Sequence, residues 1–121
     1  MKNKILVAIS VMVILGMLFI PAVTAGVTHQ FKGAWGLGTD TDPVGRLNGK
    51  IINNKYLIGN AYKDGIPHRI VLRLNGGNFQ GYVQINHNNV YIHGEYTVTN
   101  NYITAVWHCQ GHSGWIVGKL V

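Results

Sequence analysis

The sequence has 121 residues, a formal net charge of +6, a single cysteine, and only 12% charged residues. This length leaves room for one domain once an N-terminal leader is set aside, and a lone cysteine excludes an intramolecular disulfide. The basic residues are scattered along the chain, which argues against the clustered positive face of a nucleic-acid-binding protein.

The first 25 residues have the pattern of an export signal. Lys2 and Lys4 precede an apolar run over residues 5–20, and Val23 and Ala25 occupy the −3 and −1 positions of a cleavage site. The run approaches the ~20 residues that span a bilayer, so an uncleaved membrane anchor is the alternative. We therefore expect a signal peptide or anchor over residues 1–25 and an exported domain over residues 26–121, secreted or held at the cell surface.

After the leader, apolar residues recur at every second position in short runs, which is the periodicity of β-strands. Asn and Gly pairs, which tolerate the positive φ of hairpin turns, separate these runs. The predicted fold is all-β, a single antiparallel meander of about eight strands forming a small barrel, with a β-sandwich as the alternative. An N-terminal hydrophobic helix would precede it. The predicted strands are 33–37, 46–52, 56–62, 68–74, 78–85, 90–98, 102–109 and 114–120.

The alternation also predicts which side chains face the interior. The inward set is Leu47, Ile51, Ile58, Ile70, Leu72, Leu74, Phe79, Val83, Ile85, Ile92, Tyr96, Val98, Ile103, Ala105 and Trp107. The outward set is Lys50, Arg69, Arg73, Gln80, Gln84, His93, Glu95 and Thr104. Glycines at 49, 81 and 94 share the apolar face, where interior glycine marks a bend or the close approach of another group.

Several segments resemble known small barrels. Gly33-Ala34-Trp35 at the start, Leu47-Asn48-Gly49 and Phe79-Gln80-Gly81 within, and Trp107 and Trp115 near the end are similar to up-and-down barrels of the avidin-like and lipocalin-like families. The glycine and tryptophan spacing is also similar to uncharacterised exported β proteins of archaea. The resemblance implies a barrel able to hold a small ligand, and it carries over no ligand contacts.

Two groups of residues are candidates for a site. His108, Cys109 and His112 place two imidazoles and a thiol within five residues, a soft ligand set for zinc or copper. Exposed aromatic side chains, above all Tyr82, Tyr91 and Trp115, could instead stack on sugar rings or other flat ligands. Partly exposed surface histidines and cross-strand aromatic packing are the respective alternatives.

Catalytic motifs are weak by comparison. Asp40-Thr41-Asp42 imitates the start of a calcium loop, but the later ligand positions do not match, which favours a plain turn. Ser113 has no Asp partner in view for a nucleophilic triad.

We therefore expect a non-catalytic, exported binding or surface-interaction module without a cofactor, whose partner is a small molecule, a glycan or a protein and not a nucleic acid. Membrane contact would come only through an uncleaved N-terminal segment. A zinc- or copper-binding extracytoplasmic protein and a structural subunit that pairs through a sheet edge are the alternatives.

Overall fold

The computed structural model describes residues 27–121, which form a closed, eight-stranded antiparallel barrel. The strands are β1 (Thr28–Leu37), β2 (Gly45–Ile52), β3 (Tyr56–Lys63), β4 (Ile66–Asn75), β5 (Asn78–Ile85), β6 (Asn88–Thr99), β7 (Tyr102–Cys109) and β8 (His112–Leu120). The predicted signal peptide or anchor over residues 1–25 lies outside the described residues. Within residues 27–121, no helix has the length and apolar character that would let it cross a bilayer.

The predicted meander and its closure are confirmed. Each strand pairs with the next one along the chain, and β1 pairs with β8 from Phe31 opposite Leu120 to Leu37 opposite Gly114. This last pairing joins the two edges of the sheet, so the β-sandwich alternative is wrong. Strands β5 and β7 have the predicted bounds. The largest difference is in β1, which begins at Thr28 and not at Gly33 because its first five residues pair with β2.

The Asn and Gly pairs form the turns. In six connections two consecutive residues have positive φ: Asn53-Asn54, Asp64-Gly65, Gly76-Gly77, Asn86-His87, Asn100-Asn101 and Gln110-Gly111. Five of these connections contain only those two residues. A two-residue hairpin of this geometry requires residues that tolerate the left-handed region, which Asn and Gly do best. These local preferences fix the register of most of the barrel.

The two ends of the barrel differ. One end, here called the loop end, carries the connections 38–44, 64–65, 86–87 and 110–111. The other, the terminal end, carries the connections 53–55, 76–77 and 100–101 together with Val27 and Val121, where the described chain begins and stops. The chain therefore enters and leaves the barrel at the same end.

The interior is apolar and is filled by large side chains. No polar or charged residue of the described chain is buried. Phe79 and Trp107 lie flat against Gly94 and Gly114, where an added Cβ would come within 2.7 and 2.6 Å of their rings. Glycine thus leaves room for aromatic rings at these positions. The buried core residues are Phe31, Leu47, Ile51, Leu57, Ile70, Leu72, Phe79, Ile92, Ile103, Trp107 and Ile116.

Two predicted inward positions differ in the structure. Leu57, not Ile58, belongs to the core, and Ile58 lies on the outer wall opposite Lys50 and Val71. Because Leu57 and Ile58 are both apolar, the alternation of β3 does not indicate which of them faces inward. The next inward residue is Gly59, which has no apolar side chain to decide between them. Val98 lies two residues after half-buried Tyr96 but is 50% exposed at the terminal end. The predicted outward residues are confirmed as exposed.

The strands are staggered around the barrel. Starting at Thr28 of β1 and stepping to the directly paired residue on each following strand leads around the barrel to Ser113 of β8. The Ser113 carbonyl accepts a hydrogen bond from the amide of Gly38, the residue after β1. One circuit of the barrel therefore returns to β1 ten residues further along the chain than it began. Such stagger accompanies the tilt of strands in a closed barrel. It creates a continuous row of outward side chains from the terminal end to the loop end.

Candidate functional site

The middle of this outward row forms the most distinctive surface of the described residues. Successive cross-strand partners are Tyr56, Arg73, Gln80, His93 and His108. Each lies on a different strand from β3 to β7, and each side chain ends in a flat polar group. Adjacent outward side chains in a sheet approach within contact distance. The row therefore presents planar hydrogen-bonding groups side by side.

The two histidine rings of this row and the ring of neighbouring Tyr91 contact one another in sequence. The Tyr91 and His93 ring centroids are 5.4 Å apart at an interplanar angle of 25°, and those of His93 and His108 are 5.2 Å apart at 31°. Tyr91 precedes His93 by two residues on the same face of β6, whereas His108 is the direct partner of His93 on β7. We call Tyr91, His93 and His108 the aromatic ladder. Tyr91 is 59% exposed, so its ring is accessible.

Polar contacts position the ends of the ladder. The Tyr91 hydroxyl donates a 3.3 Å hydrogen bond to Oε1 of Gln80 on β5. Nε2 of His108 lies 3.7 Å from Oε1 of Glu95, and both side chains are substantially exposed. An exposed pair of this kind contributes little to stability. Its main effect is to hold an acceptor beside the ladder.

Two open depressions flank the outward side chains of β6. One lies toward β7 and the β7–β8 turn and is lined by residues including His108, Gln110 and His112. The other lies toward β4 and β5 and is lined by residues including Arg73, Asn78 and Gln80. Tyr91, His93 and Glu95 line both depressions. We call the two depressions together the β6 groove.

The structure brings together two of the three predicted ligand-binding aromatics. Tyr82 and Tyr91 are direct partners across β5 and β6, with Tyr82 half-buried. Trp115 lies elsewhere on the outer wall, where its ring covers Gly36 and its indole N–H donates a 2.7 Å hydrogen bond to the Asp40 carbonyl. These contacts fasten the β1–β2 connection. A binding role for Trp115 stays a prediction.

The three predicted metal ligands all line the depression toward β7 and the β7–β8 turn, but their side chains do not converge. His108 points outward, whereas Cys109, the next residue, packs against the core beside its partner His112. Burial raises the pKa of the Cys109 thiol, which opposes formation of the thiolate that binds metals. Within residues 27–121, no three His, Cys, Asp or Glu side chains are grouped so that they could hold a metal ion. The metal site stays a prediction without geometric support.

The Asp40-Thr41-Asp42 segment has the geometry of a turn. The amide of Asp42 donates a 3.0 Å hydrogen bond to Oδ1 of Asp40, a local contact typical of Asp in turns. This contact agrees with the interpretation as a plain turn.

Sequence reasoning missed most of the groove. The alternation placed Gln80, His93 and Glu95 outward, but it gave no reason to join them with His108 or Tyr91. That information lies in the register of β5, β6 and β7. The two-residue turns at Asn86-His87 and Asn100-Asn101 set this register. Counting residues back along both strands from each turn would have identified the cross-strand partners that form the site.

These observations define a class: a small, closed up-and-down β-barrel with an apolar, filled interior and an aromatic groove on its outer wall. No protein-family model matches the sequence, and no curated protein shows significant similarity to it. The resemblance to avidin-like and lipocalin-like barrels therefore stays a prediction beyond the shared barrel form.

Proposed function

We propose that this protein is a non-catalytic, exported binding module that holds an extended glycan along the β6 groove. The observation that carries the proposal is the aromatic ladder on β6 and β7, in which exposed Tyr91 stacks on His93 and His93 meets the half-buried His108 at a tilted angle. A contiguous patch of exposed aromatic side chains indicates a recognition surface.

The outer wall is favoured over the interior as the binding surface. The interior contains large apolar side chains and no buried polar residue among those described. Within residues 27–121, the one buried side-chain polar atom without a hydrogen-bond partner is Nε1 of Trp107. A ligand site needs a few placed polar groups to orient its ligand, and the groove supplies these on its surface.

An extended ligand suits the groove better than a compact one. Pockets for small molecules enclose most of the ligand surface, whereas both depressions beside β6 are open to solvent. A sugar chain can lie across such a surface with the C–H face of a ring on Tyr91. Its hydroxyl groups can then pair with neighbouring planar amides and charged groups, because Gln80, Asn78 and Arg73 follow toward β4.

The groove supports binding more than catalysis. Glu95 is the carboxylate in the groove, and glycoside hydrolysis requires a pair of carboxyl groups about the scissile bond. The three aspartates of the described residues lie in the connections 38–44 and 64–65, at the loop end. The sequence pattern of residues 1–25 supports export, and an exported domain would have access to cell-surface polysaccharides.

The proposal is tested with the barrel of residues 27–121, whose strand pairing is complete within that segment. We would screen it on a glycan array and measure affinity for the strongest polysaccharide by isothermal titration calorimetry. Tyr91→Ala should weaken binding at least about fivefold, because truncation of a central aromatic anchor costs about 1 kcal/mol or more.

Tyr102→Ala is the matched control. Tyr102 is also an exposed tyrosine, 51% against 59% for Tyr91, but it lies at the terminal end of β7. It should bind as the wild type does, and both variants should keep the wild-type urea midpoint. Equal losses in the two variants, or no glycan bound by the wild type, would overturn the proposal; a peptide ligand in a parallel display screen would then replace the glycan.

A further inference from the structure

Charge is distributed unevenly between the two ends of the barrel. We count each end as its connections plus the three residues of every strand that lie nearest to it. The terminal end then contains Lys50, Lys55, Arg73 and Lys119, all exposed, and no Asp or Glu. The loop end, counted in the same way, contains three aspartates against Arg46 and Lys63. The terminal end therefore has a local charge of +4 and the loop end of −1.

The same basic end also exposes large apolar side chains. Half of the exposed large hydrophobic residues in the described chain lie there: Val27 (54%), Tyr56 (42%), Val98 (50%), Tyr102 (51%) and Val121 (59%). The ammonium group of Lys119 lies 5.6 Å from the centre of the Tyr102 ring. Tyrosine with an apolar ring and a polar tip, next to lysine on a flexible stem, is the combination that suits a membrane–water interface.

The path of the chain places this end next to the export segment. Val27 is the first described residue and lies at the terminal end, directly after residues 1–26 in sequence. Residues 5–20 are the apolar run that the sequence assigns to a signal peptide or membrane anchor. Any attachment through that segment would bring the terminal end, and not the loop end, toward the bilayer.

We propose that the terminal end of the barrel is a docking surface for an anionic lipid bilayer. Basic residues near an anionic membrane each contribute about 1 kcal/mol of attraction, and the exposed Val and Tyr side chains add apolar contact. Docking in this orientation directs the loop end away from the membrane. Arg73 lies in both surfaces, but Lys55 and Lys119 lie outside the β6 groove, so variants of these two lysines test the docking surface separately from the glycan proposal.

The test is flotation of the 27–121 barrel with vesicles of phosphatidylcholine alone and of phosphatidylcholine mixed with phosphatidylglycerol. The wild type should float with the mixed vesicles and stay behind with the neutral ones. Lys55→Gln/Lys119→Gln should lower the partition coefficient about 25-fold, or about fivefold for each lysine. Arg46→Gln/Lys63→Gln removes the same charge from the loop end and should change it less than about twofold.

Orientation is tested separately from attraction. In a Cys109→Ser background, an environment-sensitive dye on Thr99→Cys, at the terminal end, should shift to shorter emission wavelength with mixed vesicles. The same dye on Thr39→Cys, at the loop end, should not. Absence of binding to mixed vesicles, equal losses in the two charge variants, or equal dye shifts would each overturn the proposal.

Discussion

The barrel uses aromatic rings in two opposite ways on the two faces of one sheet. Inside, Phe79 and Trp107 lie on glycines of the neighbouring strand and are at least nine-tenths buried. Outside, Tyr91 and His93 stack on each other in solvent. Cross-strand neighbours meet in both cases. The interior rings contribute stability through burial, whereas the outer rings keep apolar surface that a ligand can cover.

The largest expected effect is on the interior side of this comparison. Phe79→Ala should lower the free energy of unfolding by about 3 to 5 kcal/mol, because the lost ring leaves a cavity above Gly94. Urea titration followed by tryptophan fluorescence measures it. Gln80→Ala, the next residue but on the outer wall, should cost less than about 1 kcal/mol. Similar costs for the two variants would mean that the faces do not differ as described.

The two interior tryptophans provide a finer comparison. Trp35 and Trp107 meet edge to face with centroids 6.1 Å apart. The indole N–H of Trp35 donates a 3.0 Å hydrogen bond to the Tyr62 carbonyl, whereas that of Trp107 is buried without an acceptor. Both changes to Phe remove the same volume, but only the change at 107 also removes an unpaired buried donor, which costs about 1 to 3 kcal/mol.

We therefore expect Trp107→Phe to destabilise the barrel less than Trp35→Phe, by about 1 kcal/mol or more in chemical denaturation. Trp35→Phe leaves the Tyr62 carbonyl without its indole donor, which adds to its cost. A larger cost for Trp107→Phe would show that its indole N–H has a partner in solution, such as a bound water.

The smallest expected effect concerns Cys109, at the loop end of β7. Burial favours its neutral thiol in the folded state and raises its pKa above the ordinary value of 9.0. The contribution to stability is therefore fully present below pH 9 and is lost as the pH rises through the folded-state pKa. Above pH 9, the wild type should lose slightly more stability with pH than Cys109→Ala does.

The same thiol should alkylate more slowly with iodoacetamide at pH 8 in the folded barrel than in urea. Equal rates in the two states would show that Cys109 is accessible as a thiolate, and this result would revive it as a metal ligand.

Local sequence determined most of the architecture. Alternation along β4 to β7 and the turn preferences of Asn and Gly predicted the strands and the meander, because both depend on neighbouring residues alone. The phase of β3 was the exception. Leu57 and Ile58 are equally apolar, and only the position of Gly59 opposite Gly49 places Leu57 in the core.

Tertiary structure decided what local pattern cannot contain. Closure of the barrel requires β1 to pair with β8, at opposite ends of the described chain. The groove requires the register that sets His93 of β6 beside His108 of β7, fifteen residues apart in sequence. The side chains' outward direction follows from a period of two, but their partners follow from the stagger of the strands around the barrel. For that reason the sequence by itself predicted an all-β meander and single aromatic candidates, whereas the closed barrel and the assembled surface came from the fold; export stays a prediction.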